Sequence, residues 1–283
     1  MIKKDKRLIK KSPSEFVALI NESIKKDINK KYGKLMKQYM KFKFEFYGLK
    51  KPKRDIRYKA ITTKYTPHPL NRATMHEMLR KCYEYEHREM QYTAFDLLDT
   101  YWLKKLNEED LDILEELICQ KSHWDSTDTM SKYFGIIMKN LEKEARAVYV
   151  DAWLEHENMW MRRISLIYQL RYKDEIDLDV VFKNVKALMD EDEFFIQKAI
   201  GWILREAGKF MTAEILYFVK QNEDDLSHLA KVEAMRYLLA RKDTKRFKKF
   251  KIPNYKNKSK KKSNKAKEGK KGGSKAAKKK QGK

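Results

Sequence analysis

Near the middle of the chain, a tryptophan and an aspartate have the types and spacing to do chemistry. They are Trp124 and Asp128, four positions apart in the run HWDSTD at 123–128. On a helix that begins near Asp125, Asp128 lies in the first turn and projects in roughly the same direction as Trp124. A simpler interpretation remains open, in which Asp125 or Ser126 merely caps the helix. Asp128 would then offset the helix dipole, and Trp124 would belong to the core.

A second candidate is a stripe of one tryptophan and three cations. At positions i, i+4, i+7 and i+11 of a helix it contains Lys198, Trp202, Arg205 and Lys209. The opposite face of 195–204 is apolar and suits the core. An aromatic ring flanked by cations could bind a phosphate backbone and contact the nucleic acid next to it. A solvated basic face, with a tryptophan that anchors two repeats, is about as good an interpretation.

Two further segments mix aromatic and basic residues. In the run WMRRISLIYQLR at 160–171, Arg163 and Arg171 are about two helical turns apart, and each could reach a phosphate. The run QYMKFKFEFYG at 38–48 contains Tyr39. Taken alone, this run is better explained as an amphipathic core helix with solvated lysines.

The elements that must position these residues are predicted to be helices. The chain has 5 prolines and 9 glycines, and it is rich in Leu, Lys, Glu and Met. A helix begins at Ser12-Pro13, another covers 33–44, and further helices open at Pro52 and at Pro67/Pro69. Apolar residues at steps of three and four then predict helices over 87–105, 109–121, 126–143, 145–156, 159–172, 177–189, 193–208, 210–220 and 227–240.

Paired helices with short connections favour an all-α chain, a HEAT-like repeat α-solenoid. A helical bundle fits the periodicity nearly as well. The predicted organisation is a flexible basic arm at 1–12, one repeat domain at 13–241 and a disordered Lys-rich tail at 242–283.

Positive charge is concentrated in that tail. The net charge is +24, and residues 242–283 contain 20 Lys/Arg against 2 Asp/Glu, which leaves 45 against 39 in the rest. A polyanionic partner is the natural inference, with nucleic acid first and an acidic membrane surface second. A tail of this kind can also simply add solubility.

Several classes of site are excluded by the sequence. It has no GxGxxG, P-loop or HExxH motif, so no cofactor is expected. Six scattered histidines and two cysteines without a CxxC give no metal site and no disulfide framework. No window approaches the roughly 20 apolar residues of a membrane span, and the basic N-terminus is not a secretory signal.

Taken together, the four segments resemble the AlkD-type family of DNA alkylation repair glycosylases over most of residues 30–240. The resemblance lies in QYMK and FYG at 38–48, WDSTD at 124–128, WMRR and QLRYK at 160–173, and FFIQKAIGWILRE at 194–206, in this order. Two positions depart from it: His123 stands where relatives often have a second tryptophan, and Arg171 where they often have lysine.

The resemblance implies excision of 3-methyladenine and 7-methylguanine from duplex DNA. These bases are cationic, so the enzyme must mainly stabilise positive charge on the sugar, a role that falls to the Asp128 carboxylate. Trp124 and Trp202 would flank the lesion nucleotide. No metal or cofactor is implied.

DNA contacts are implied for Tyr39, Arg163, Arg171, Arg205 and Lys209. The tail would add salt-sensitive affinity for DNA. The expected protein is a monomer without membrane association, located in the nucleus if eukaryotic and otherwise in the cytoplasm. The rival interpretation is a non-catalytic helical-repeat scaffold for nucleic acid or protein.

Overall fold

The structure is a computed structural model that describes residues 8–240. Within this range there are thirteen α-helices and two three-residue strands, so the all-α prediction is confirmed. The succession of short helices fits a helical-repeat solenoid. The predicted tail at 242–283 lies outside the described residues. The chain divides into two compact units, Met1–Ala147 and Val148–Lys283, and the single repeat domain over 13–241 stays a prediction.

The first unit contains most of the helices. They are α1 (Pro13–Lys25), α2 (Lys30–Tyr39), α3 (Lys51–Thr62), α4 (Arg72–Glu84), α5 (Arg88–Leu97), α6 (Leu111–Gln120) and α7 (Trp124–Lys139). Helix α8 covers Lys143–Leu154. The helices of the second unit are α9 (Met159–Ile167), α10 (Leu178–Leu188), α11 (Phe194–Ala207), α12 (Thr212–Gln221) and α13 (His228–Ala240).

The start of α1 follows its sequence signals. Ser12 is the N-cap, and its hydroxyl accepts a hydrogen bond from the backbone N–H of Glu15. The Glu15 carboxylate accepts in return from the Ser12 N–H at 3.1 Å, which completes a capping box. Phe16, Ile20 and Ile24 follow at helical spacing and are fully buried. This face packs against α3 and α4.

A short parallel pairing corrects the prediction of a flexible arm for residues 9–11, whereas residues 1–7 of that arm lie outside the described residues. Ile9–Lys11 forms strand β1, which pairs with β2 (Tyr65–Pro67). The backbone N–H of Ile9 donates to the carbonyl of Lys64, and that of His68 to the carbonyl of Lys11. Since these bonds satisfy backbone groups at both ends of the strand, residues 9–11 are part of the fold.

The predicted helix over 33–44 begins earlier and ends earlier. Helix α2 starts at Lys30, where the Asn29 side chain caps it, and ends at Tyr39. Gly33 lies inside the helix because the chain passes close to it, and a Cβ there would be 2.8 Å from the Phe46 carbonyl oxygen. This glycine is therefore a packing residue and not a helix start.

The predicted helix over 87–105 changes its winding on the way. Helix α5 ends at Leu97, a π-helical turn covers Leu98–Trp102, and a 3-10 turn covers Leu103–Lys105. Hydrophobic spacing alone does not separate a π turn from an α turn, since both keep one face of the helix apolar.

Each unit has its own packing centre. In the first unit α4 packs on α1, α5 and α6, and α7 packs on α5 and α6. In the second unit α11 contacts α9, α10, α12 and α13. The inner face of α11 is fully buried at Ile196, Ala199, Ile200, Ile203, Leu204 and Ala207. The chain at 8–240 contains no helix with the length and apolarity required to cross a membrane.

Candidate functional site

The predicted site residues are divided between the two units. The first unit contains Tyr39, Trp124 and Asp128, and the second contains Trp202, Arg163, Arg171, Arg205 and Lys209. Joint action of the two groups stays a prediction.

In the first unit, Tyr39 and Trp124 are brought together. Their ring centroids are 5.8 Å apart at an interplanar angle of 80°, an edge-to-face contact. Trp124 is half-buried, whereas 70% of Tyr39 is exposed. Tyr39 is the last residue of α2 and Trp124 the first of α7, so two helix ends form an aromatic pair that is open to solvent.

Asp128 lies one turn beyond Trp124 on α7, as the four-residue spacing predicts. The helix begins at Trp124 and not at Asp125, so Asp128 belongs to the second turn and not to the first. Its side chain is half-buried, and its backbone carbonyl accepts a hydrogen bond from the Ser131 hydroxyl at 2.8 Å.

The other carboxylate of this run, Asp125, is held by a buried arginine. The Arg88 guanidinium donates to both carboxylate oxygens, at 2.8 and 3.0 Å, and the Tyr92 hydroxyl donates at 2.6 Å. Arg88 is fully buried, and it also donates to the Lys121 carbonyl and to the Ser126 hydroxyl. This bidentate pair fixes the first turn of α7.

These contacts exclude the capping interpretation. His123 is the N-cap of α7, and no side chain caps the helix there. Burial raises the pKa of the Asp125 carboxyl, but hydrogen bonds from Arg88 and Tyr92 outweigh that effect, so the pKa lies below its ordinary value. Asp125 is therefore an ionised, structural residue.

Glu89, the neighbour of Arg88, holds the chain that follows Tyr39. Its carboxylate accepts the backbone N–H groups of Tyr47, Gly48 and Leu49 at 2.8 to 3.0 Å. Gly48 has φ of 92°, and a Cβ at this position would lie 2.1 Å from the Asn29 carbonyl oxygen. The FYG run thus has a glycine because neither this conformation nor this space accepts a side chain.

In the second unit, the predicted stripe on α11 is organised by a carboxylate that the sequence did not single out. Glu233 of α13 is buried, and its oxygens pair with Lys198 at 2.7 Å, with Arg236 at 2.8 Å and with Arg205. Burial lowers the pKa of Lys198, and the nearby guanidinium groups of Arg236, Arg205 and Arg163 lower it further.

A glycine allows this arrangement. A Cβ on Gly201 of α11 would lie 2.4 Å from the Glu233 Cβ and 2.7 Å from the Ala230 carbonyl oxygen. Helices α11 and α13 therefore approach closely at this position, which places Glu233 beside the stripe.

Trp202 is half-buried in the stripe, and Arg163 lies next to it. The Arg163 guanidinium carbon is 5.9 Å from the Trp202 ring centroid, and the guanidinium donates to the Phe195 carbonyl. Because Arg163 is buried, these contacts make it a residue that fixes the relation of α9 and α11. Its phosphate contact stays a prediction.

Arg171 and Lys209 are exposed. Arg171 follows α9, and Lys209 follows α11, where its ammonium donates to both Glu206 carboxylate oxygens at 2.6 Å. The Lys209 ammonium is also 5.9 Å from the Tyr237 ring centroid. Both side chains are accessible to a phosphate group. A phosphate contact stays a prediction for each of them.

Among solved structures, the chain matches a protein of high coverage. The chain is similar to a "Predicted DNA alkylation repair enzyme from Enterococcus faecalis", with 29% sequence identity and a TM-score of 0.64. The match covers 75% of this chain and 97% of that chain. No match was found among curated proteins.

The sequence profile of a family described as DNA alkylation repair enzyme matches residues 20–238. These residues include both helix ends that form the aromatic pair, Asp128 and the whole of the stripe on α11. Since the match extends over well more than half of the sequence, the chain belongs to the DNA alkylation repair enzyme family.

Proposed function

We propose that this protein is a DNA glycosylase that hydrolyses the N-glycosidic bond of cationic alkylated purines, 3-methyladenine and 7-methylguanine, in duplex DNA. The observation that carries the proposal is the position of Asp128. It lies one turn from Trp124, whose ring contacts Tyr39, in a chain of the DNA alkylation repair family.

The chemistry requires a carboxylate more than a general acid. An alkylated purine of this kind already has a positive charge, so it leaves as a neutral base when the bond to C1′ breaks. Positive charge then develops on the sugar, and a water oxygen adds to C1′ while one of its protons is lost. A carboxylate stabilises the developing charge and can orient the water.

Asp125 is unsuited to this role, which supports Asp128. The Asp125 charge is already neutralised by the Arg88 guanidinium, and its oxygens accept three hydrogen bonds from Arg88 and Tyr92. Turning it towards a sugar would leave Arg88 buried without a counter-charge, which costs several kcal/mol, of order 3–5. We therefore assign charge stabilisation and water orientation to Asp128.

The aromatic pair suits a cation. A positive charge over the face of a tryptophan is attracted by roughly 0.5–2 kcal/mol, and the attraction is larger where water is excluded. The half-buried Trp124 is proposed to offer such a face beside Asp128, and the exposed Tyr39 ring makes an edge-to-face contact with it. We propose that Trp124 contacts the alkylated nucleotide and that Tyr39 contacts the DNA next to it.

The second unit is proposed to bind DNA through the stripe on α11. Trp202 provides an aromatic contact, and Arg171, Arg205 and Lys209 contact phosphates. Glu233 holds Lys198 and Arg205 in fixed positions, so these cations are already ordered before DNA binds. The buried Arg163 guanidinium, 5.9 Å from the Trp202 ring centroid, helps to hold that ring in place.

The Lys-rich segment at 242–283 is proposed to add non-specific affinity for DNA, and to direct the protein to the nucleus if its source is eukaryotic. Deleting residues 246–283 is expected to weaken DNA binding at physiological salt without changing the single-turnover rate of base release.

The experiment that tests the proposal measures base release from duplex DNA that contains 7-methylguanine. The protein should release the base faster than spontaneous loss. Asp128→Asn should lose most of this rate and still bind the duplex. Asp112→Asn, which changes an exposed aspartate of α6, is the matched control and should keep the rate.

Release at the spontaneous rate would leave a non-catalytic scaffold as the function. Full activity of Asp128→Asn, with release by the unchanged protein, would remove Asp128 from its role and leave the glycosylase activity in place.

A further inference from the structure

The loop after α2 has two successive residues in the left-handed region of backbone conformation. Lys41 has φ of 55° and Phe42 has φ of 60°. The Lys41 N–H donates to the Gln38 carbonyl at 3.1 Å, and the Phe42 N–H donates to the Lys37 carbonyl at 2.8 Å. This is the Schellman pattern of a helix end, in which glycine usually takes the left-handed position. A phenylalanine with positive φ is an outlier that costs conformational free energy.

Local packing leaves most of the Phe42 ring in water. In a Schellman end, the residue at the position of Phe42 usually packs back on an apolar residue at the position of Met36 or Lys37. Met36 is half-buried, and the Lys37 ammonium pairs with Glu45. The Phe42 side chain is 63% exposed. The fold thus holds a large apolar ring in water at a strained position, an arrangement that calls for a role outside folding.

The loop is held on both sides of Phe42. On one side the Tyr39 ring contacts the Trp124 ring. On the other side the Phe44 ring lies 3.9 Å from the Arg88 guanidinium carbon and 5.9 Å from the His123 ring. Both anchors belong to the start of α7 or to its partner Arg88. Phe42 therefore lies in a short loop whose two sides, at Tyr39 and Phe44, contact the start of α7 and Arg88.

The charges that flank Phe42 indicate which kind of ligand this loop binds. Lys41 and Lys43 flank Phe42 and are exposed. An apolar ring between two cations matches duplex DNA, in which stacked bases are flanked by phosphates. Proteins that open or bend a duplex insert an apolar side chain of this kind between two base steps.

We propose that Phe42 is a wedge, which enters the duplex beside the nucleotide contacted by Trp124 and unstacks one base step there. Lys41 and Lys43 bind the phosphates on either side of the inserted ring. The position of this wedge on the DNA rests on the proposed function. The loop after α2 would then determine how the protein distorts damaged DNA. Unstacking would let the sugar of the lesion nucleotide approach Asp128.

The test uses the full chain and a duplex with 2-aminopurine next to 7-methylguanine, since the fluorescence of 2-aminopurine rises when it unstacks. Phe42→Asn is the informative variant, because asparagine accepts positive φ and the variant should fold at least as stably. Ile56→Ala is the matched control: Ile56 is 64% exposed on α3, outside the loop. An undamaged duplex of the same sequence is measured in parallel.

Binding of the unchanged protein and of Ile56→Ala should raise the fluorescence several-fold. Phe42→Asn should lose most of that rise and release base about tenfold more slowly in single turnover, with an unfolding temperature that is equal or higher. A rise that persists in Phe42→Asn, or no rise with the unchanged protein, would overturn the wedge.

The two proposals fail separately. If the unchanged protein releases no base but still shows a rise that depends on Phe42, the glycosylase proposal fails and the wedge is supported. If it releases base and Phe42→Asn does so at the same rate with the same fluorescence, the wedge fails and the glycosylase proposal is unaffected.

Discussion

Arg88 of α5 and Asp125 of α7 form a bidentate ion pair in which the arginine is fully buried, with N–O distances of 2.8 and 3.0 Å. The pair ties the helix that begins with Trp124 to the helix whose second residue, Glu89, holds the loop at 47–49. Two adjacent charged residues thus hold the first turn of α7 and the segment at 47–49 that follows the loop after α2. Changes at Arg88 should accordingly affect stability and site geometry together.

The first prediction concerns removal of the arginine. Arg88→Met keeps most of the side-chain volume but removes the positive charge from the Asp125 carboxylate, which keeps the hydrogen bond from the Tyr92 hydroxyl. Breaking a buried ion pair by removing one partner should cost about 3–5 kcal/mol of unfolding free energy. Urea unfolding followed by circular dichroism measures this loss.

The matched control is Arg80→Met, which breaks an exposed pair with Glu116. Exposed pairs contribute about 0–1 kcal/mol, so this variant should stay close to the unchanged protein. If the two variants lose the same unfolding free energy, the Arg88–Asp125 pair does not contribute more to the stability of the first unit than an exposed pair does.

The second prediction concerns acid. The pKa of the Asp125 carboxyl is lowered in the folded protein. The ionised carboxylate therefore stabilises the folded state more than the protonated acid does. This stabilisation is complete at pH values above the pKa of an unfolded aspartate, about 3.9, and is lost as pH falls through the lower folded pKa. Asp125→Asn, which imitates the protonated acid, should therefore be clearly less stable than the unchanged protein at pH 7.

The difference in unfolding free energy between the two proteins should shrink as the pH is lowered below about 4. Urea unfolding at a series of pH values measures it, with Asp112→Asn as an exposed control that should show a small difference throughout. A difference that stays constant down to acid pH would contradict the depressed pKa.

Much of this architecture could be predicted from the sequence, because the apolar residues of a helix recur at a regular spacing within a short segment. Apolar spacing located most helices to within a few residues, with the largest error at the end of α5, and the four-residue spacing of Trp124 and Asp128 correctly placed them one turn apart. In each case the signal lies within one helix or within a known order of motifs. The direct ring contact of Tyr39 with Trp124 was not predicted, although the resemblance named both residues.

The residues that hold the site were missed for a physical reason. Arg88 and Asp125 are 37 positions apart, and Lys198 and Glu233 are 35 apart. Hydrophobic periodicity says which face of a helix is buried, but not which helix covers it. One signal was present: Arg88 and Glu89 are adjacent charges in a segment that is otherwise buried. Charges in such a segment require partners.

The third prediction tests the close approach of α11 and α13. Gly201→Ala would place a methyl group 2.4 Å from the Glu233 Cβ and 2.7 Å from the backbone oxygen of Ala230, so one helix must move. Such overpacking should cost about 1–3 kcal/mol. Gly208→Ala at the end of the same helix is the control, since its nearest contact would be 3.1 Å and the expected change is below about 1 kcal/mol. Thermal unfolding that ranks Gly208→Ala as the more damaging change would contradict the tight contact.

The last prediction addresses the cations of the second unit. Each phosphate contact releases counterions, so the logarithm of the binding constant falls with the logarithm of the salt concentration by about 0.9 per contact. Arg171→Ala and Lys209→Ala should therefore each weaken binding to duplex DNA and make this slope shallower by about 0.9. Lys186→Ala, which removes an exposed cation from α10, is the control and should leave the slope unchanged. Fluorescence anisotropy at several salt concentrations measures the slopes of all four proteins.

Because Arg171 and Lys209 are exposed, their removal should lower the unfolding free energy by no more than about 1 kcal/mol, the upper value for a surface pair such as that of Lys209 with Glu206, which separates a lost phosphate contact from a damaged fold. If all four slopes are equal, neither residue contacts phosphate, and DNA binding by this unit must depend on other residues.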